Sequence, residues 1–159
     1  MKKMKKLSAL LLAFVMLFAL AACGGGAGSG GGAAAKTTPV SGDMVTGELP
    51  AGWILVTGTD MNGADRVDYI CHTENYTVGD PYLQAEEDAR NIEDAQALLE
   101  SGSPFGTYAG EKELANGTWY LAENAAVTQL GDKVMIVRGY QCDFGSEEVQ
   151  GILGSLQWV

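Results

Sequence analysis

Apolar and polar positions change period several times along the chain. Leu7 to Leu20 is an apolar run broken only by Ser8, and Trp53 to Val56 is a second, shorter one. From Arg66 to His72 the pattern alternates. Val67, Tyr69 and Cys71 fall on one side and Arg66, Asp68, Ile70 and His72 on the other, the two-residue period of a strand. Asn62-Gly63 separates these two runs, and both of its residues tolerate the positive φ that a tight hairpin turn needs. Asn116-Gly117 separates Gly106–Ala115 from Thr118–Ala122 in the same way, and Gly131-Asp132 separates Ala126–Leu130 from Lys133–Tyr140. These six runs predict a mostly antiparallel sheet. Val134-Met135-Ile136-Val137 is apolar on both faces, so a layer is expected over each.

Two helical segments could supply those layers. Asp80-Pro81 reads as an N-cap followed by proline at the first helical position. Ala85, Ala89, Ile92, Ala95 and Leu99 then recur at spacings of 4, 3, 3 and 4, an apolar stripe that Gly102 would end. Asn91 is a second N-cap candidate, so 80–102 holds one helix or two. Ser146 would cap another helix, with Glu147 and Glu148 at its positive end and Val149, Ile152, Leu153 and Leu156 as its stripe. The order strand–strand–helix–four strands–helix defines an α+β domain, a sheet of about six strands with helices covering both faces. Pro50-x-Gly52-Trp53, Gly117-Thr118-Trp119-Tyr120 and Ile152-Leu153-x-Ser155-Leu156 resemble the PsbP-like family. That resemblance implies an α/β/α sandwich over residues 49–159; its motifs concern packing, and they imply no function.

The start of the chain carries the most specific signal. Lys2, Lys3, Lys5 and Lys6 precede the first apolar run, which at ~14 residues is a secretory h-region rather than a ~20-residue membrane span. Leu20-Ala21-Ala22-Cys23 follows and resembles the lipobox of bacterial lipoproteins. The resemblance implies cleavage after Ala22, a diacylglyceryl group on the Cys23 sulfur, and a protein held by lipid on the outer face of the cell membrane, or in an outer membrane. Residues 1–22 are then a signal peptide, 23–47 a tether and 48–159 one globular domain. Seven of the 13 residues from Gly24 to Lys36 are glycine. A flexible tether of ~24 residues spans ~27 Å r.m.s.. Gly28-x-Gly30-x-x-Ala33 fits a loose dinucleotide fingerprint but lacks the flanking strand and helix.

Charge narrows the partners. The chain has 10 Lys+Arg against 20 Asp+Glu. Beyond residue 23 only Lys36, Arg66, Arg90, Lys112, Lys133 and Arg138 oppose all 20 carboxylates, a balance of −14. Such a body repels nucleic acid and gains nothing from anionic lipid, so the membrane contact is assigned to the acyl chains.

The remaining chemistry is sparse. Cys71 and Cys142 form an exported pair expected to bridge, closing a long loop for ~4 kcal/mol, with two buried thiols as the alternative. His72 is the sole histidine, and no G-x-S-x-G elbow accompanies it. Cys71, His72 and Cys142 lack a fourth ligand for zinc, and Asp60-x-Asn62-Gly63-x-Asp65 departs from calcium-loop spacing. Glu86, Glu87, Asp88, Glu93 and Asp94 form an acidic cluster, read mainly as a solvated helix face that could attract a divalent cation weakly or a basic partner. Trp119 and Tyr120 could floor a groove for a sugar or peptide, although most aromatics belong in the core. The sequence therefore describes a lipid-anchored, monomeric, non-catalytic module that needs no cofactor and binds a protein, peptide or envelope component. The alternatives are an envelope hydrolase using Asp/Glu chemistry and an accessory subunit of a membrane assembly.

Overall fold

The structure is a computed structural model describing residues 36–59, 66–73, 77 and 79–159. The signal segment, Cys23, the glycine tract and the 60–65 segment with Asn62-Gly63 lie outside the described residues.

Ten strands and two helices follow in order: β1 (Thr37–Ser41), β2 (Val45–Pro50), β3 (Ile54–Thr59), β4 (Arg66–Cys71), β5 (Tyr82–Asp88), α1 (Ile92–Glu100), β6 (Tyr108–Leu114), β7 (Gly117–Ala122), β8 (Ala125–Leu130), β9 (Lys133–Tyr140), α2 (Glu147–Ser155) and β10 (Gln157–Trp158). Seven strands form one antiparallel sheet in the order β3-β4-β5-β9-β8-β7-β6, and β1-β2-β10 form a second. Strand accounts for 52% and helix for 16%, so the described part is mostly β. The α/β/α sandwich with helices covering both faces is overturned. Two helices of nine residues, each ~14 Å long, cannot roof a seven-stranded sheet ~30 Å across.

A second sheet takes over much of that role. Val45 and Leu49 of β2 join Ile70, Leu83, Trp119, Met135, Val137, Ile152, Leu153 and Leu156 in the larger buried cluster, with α2 packed on β2 and β6. The smaller cluster joins Ala95 and Leu99 of α1 to Ala122, Ala125, Val127, Val134 and Ile136. Alternation along β9 feeds both, Met135 and Val137 to one side and Val134 and Ile136 to the other. α1 thus covers the β7–β9 part of its face. On the β3–β4–β5 part of that face Val56 stays 43% exposed, as does Tyr140 at the end of β9.

Two further expectations change. Residues 37–47, assigned to the tether, are β1 and the first half of β2, paired antiparallel from Thr37↔Pro50 to Ser41↔Thr46. The long helix from residue 80 is replaced by β5 and a helix capped at Asn91, whose side chain accepts the Asp94 N–H at 2.8 Å. β5 lies between β4 and β9, so its backbone is paired on both sides.

Polar side chains fasten the layers. Buried Asp68 on β4 accepts the N–H groups of Asp43, Met44 and Val45 at 3.1, 2.8 and 2.9 Å, tying the β1–β2 turn to the large sheet. Gly42 is required there, since a Cβ would lie 2.2 Å from an Asp68 oxygen. Asn116, in the β6–β7 turn, donates to the carbonyls of Leu153 and Leu156, both at 2.8 Å, and accepts Trp119 Nε1–H at 2.8 Å. It satisfies carbonyls that the end of α2 leaves open.

Candidate functional site

The β6–β7 ladder runs from its turn at Leu114↔Gly117 outward to Gly110↔Leu121 and then skips to Tyr108↔Ala122. Ala109 is thus an extra residue, a bulge that bends this edge strand away from its partner. Beside it lies a cleft of about 340 Å³, lined by Thr107, Tyr108 and Ala109, by Leu121, Ala122 and Glu123, and by Asp143, Phe144 and Gly145 of the segment before α2. That size falls at the lower end of small-molecule sites. Leu121, Ala122 and Phe144 are core residues, so the floor is apolar and fixed.

Two carboxylates stand at the rim, Glu123 and Asp143, and Glu123 Oε2 accepts the Thr107 N–H at 3.4 Å. Gly106 has φ 79°, and a Cβ there would sit 2.7 Å from Glu123 Cβ, so only glycine lets the loop pass over Glu123. Hydrogen bonds from Glu123 N to Thr107 O at 3.0 Å and from Asn124 N to Phe105 O at 2.9 Å fix the two segments together. Asp143 Oδ1 accepts the Gly145 N–H at 2.8 Å. The ion pairs among the described residues are Arg66–Asp43, Arg90–Asp88, Lys133–Glu87 and Arg138–Glu86, and none involves Glu123 or Asp143. Burial, and after it the Glu100 and Glu111 carboxylates, raises the Tyr108 hydroxyl above the ordinary phenol value.

The residues singled out in the sequence are dispersed. Trp119 is wholly buried in the larger cluster and floors no groove. Tyr120 packs half-buried against the smaller cluster. Glu86, Glu87 and Asp88 lie on β5 rather than a helix, so they alternate between faces. Each is paired: Glu86 with Arg138 at 2.7 Å, Glu87 with Lys133 at 2.7 Å, and Asp88 with Arg90 at 2.6 Å. Burial opposes the Asp88 charge, but the Arg90 hydrogen bonds and positive charge outweigh it and hold the carboxyl below its ordinary value. Glu93 and Asp94 open α1.

Cys71 and Cys142 are free thiols in this structure, without the expected bridge. Cys71 shares a face with Tyr69 and Tyr82, whereas Cys142 packs on the larger cluster behind the sheet and donates to Tyr82 O at 3.3 Å. Desolvation raises both thiols, Cys142 to about 11. His72 is exposed and lies against Trp53, ring centroids 4.7 Å apart. Among the described residues no three His, Cys, Asp or Glu side chains converge on a metal position.

Two other surfaces are less well built as ligand sites. A groove of about 520 Å³ beside α2 has Glu48, Glu147 and Glu148 at its rim. Three of its polar residues are engaged with one another, Thr37 Oγ1 donating to Glu48 at 2.6 Å and Ser155 Oγ bonding the Glu48 backbone. Tyr69, Tyr82 and Tyr140 form a row on the large sheet, centroids 5.8 and 5.6 Å apart. Tyr82 and Tyr140 stack at 21°, directing ring faces at each other.

Sequence reasoning missed Glu123 and Asp143. The available signal was glycine spacing, Gly102 and Gly106 before one carboxylate's hairpin and Gly145 just after the other. Compared with family models, curated proteins and solved structures, the chain finds no match.

Proposed function

We propose that this protein is a lipid-anchored, extracytoplasmic binding module that receives its ligand in the cleft at the β6 bulge without making or breaking a bond. Anchoring rests on Leu20-Ala21-Ala22-Cys23 and the apolar run before it. Binding rests chiefly on the cleft: a fixed apolar floor with two carboxylates at its rim that accept the Thr107 and Gly145 N–H groups. Glu86, Glu87 and Asp88, the clustered acids that a hydrolase would draw on, are engaged in separate ion pairs, which favours binding over acid–base chemistry.

Ala109 is exposed, so Ala109→Trp should fill the cleft and leave the fold intact. Amide chemical-shift mapping with a panel of envelope-derived peptides, amines and sugars should perturb Tyr108, Leu121 and Phe144 in the native protein and not in Ala109→Trp. Perturbations that cluster elsewhere and survive the substitution would refute this site. Turnover of an ester, peptide or glycan abolished by Glu123→Gln would replace binding with catalysis.

A further inference from the structure

Resting on the cleft reading above, we propose that the ligand is an organic cation with an apolar body, an ammonium or guanidinium group carried on a hydrocarbon chain or ring. Three observations converge. Leu121, Ala122 and Phe144 offer a floor that selects hydrocarbon and has little to give a sugar or phosphate. Glu123 and Asp143 stand beside that floor outside the ion pairs of the described residues, and so are open to a cation. Both accept a backbone N–H before any ligand arrives, Glu123 that of Thr107 and Asp143 that of Gly145. A cation entering the rim therefore meets two oriented acceptors, and its apolar portion displaces water from the floor. An anion would meet the same two carboxylates on a chain of formal net charge −10.

A free amine and a basic peptide side chain present the same chemistry to the cleft. Hexylammonium represents the first and acetyl-Leu-Lys-amide the second, with 1-hexanol and acetyl-Leu-norleucine-amide as neutral counterparts. Titration of the full chain followed by amide shifts should place one or both cations at Tyr108, Leu121 and Phe144. Each bound cation should bind more tightly than its neutral counterpart. Glu123→Gln and Asp143→Asn should each weaken cation binding roughly threefold to fivefold, as expected for exposed charge pairs, and should leave hexanol unchanged. Added salt should weaken the cation alone. If only the amine binds, the source is a free metabolite; if only the peptide binds, it is a protein or peptide side chain. Hexanol binding in the cleft as tightly as hexylammonium would overturn the cation assignment while keeping the cleft as a binding site. Cation shifts that map elsewhere, or that persist in the double variant, would overturn the assignment outright. Well-dispersed amide spectra of each variant would show that folding is intact.

Discussion

Replacing Asp68 tests how the two sheets are joined. In Asp68→Ala, the N–H groups of Asp43, Met44 and Val45 lose their shared acceptor. The Val45 bond is buried, so its orphaned donor should cost ~1–3 kcal/mol, while the two part-buried donors can recruit water and should cost ~0.5–1.5 kcal/mol each. The sum is ~2–6 kcal/mol, a large share of a single domain's stability. Asp68→Asn is the sharper probe. It keeps the shape but presents an NH₂ group to a row of donors, so it should cost at least ~1–3 kcal/mol. Urea unfolding would give the free energies, and hydrogen exchange would locate them. Amides 43–45 and the β1–β2 pairs should lose protection in both variants, while those of β8 and β9 should change only with global stability. A shift below ~0.5 kcal/mol for Asp68→Asn, or fast exchange of amides 43–45 in the unaltered protein, would refute the argument that this carboxylate clasps the sheets.

Cys23→Ala should leave the protein uncleaved or release it from membranes, read as changed detergent partitioning and mature mass. Asp88 is held below its ordinary carboxyl value, so its stabilisation is present above the unfolded value near ~3.9 and is lost as pH falls through the lower folded value; Asp88→Asn should flatten the acid limb of a stability–pH curve. Cys142, raised to about 11, favours the folded state fully below the unfolded thiol value of ~8.5 and loses that contribution as pH climbs towards 11. Iodoacetamide at pH 8 should accordingly label Cys71 and Cys142 slowly in native protein and quickly after unfolding without reductant; a 71–142 linked peptide in the non-reduced digest would contradict the free-thiol arrangement.

Hairpins were legible in the sequence where the turn chemistry is local. Gly131 sits in the β8–β9 turn with φ 69°, where Gly131-Asp132 was expected, and Leu130 faces Lys133 across it. β5 was not legible, because Ala85 and Ala89 fit a helical stripe as readily as Leu83 and Ala85 fit a strand's alternation. Pairing with β4 and β9 decided between them, and both partners are distant in sequence. β1 was obscured by its polar, glycine-flanked composition, and β10 is too short to carry a period. The cleft draws on segments near 107, 122 and 144, and neither of its carboxylates belongs to a motif.

β2 has the earliest part of the described chain on one side and the last on the other. Its edge towards β10 is completed only by Gln157 and Trp158, and Ser155 bonds Glu48 across 107 positions. A chain emerging N-terminus first at ~5–20 residues per second would present that edge, with Val45 and Leu49 uncovered, for roughly 5–20 s before its partner arrives. An open strand edge is a template for pairing with other chains. The newborn protein should therefore depend on a holding factor during that interval, and a stalled or C-terminally clipped chain should be the species that aggregates.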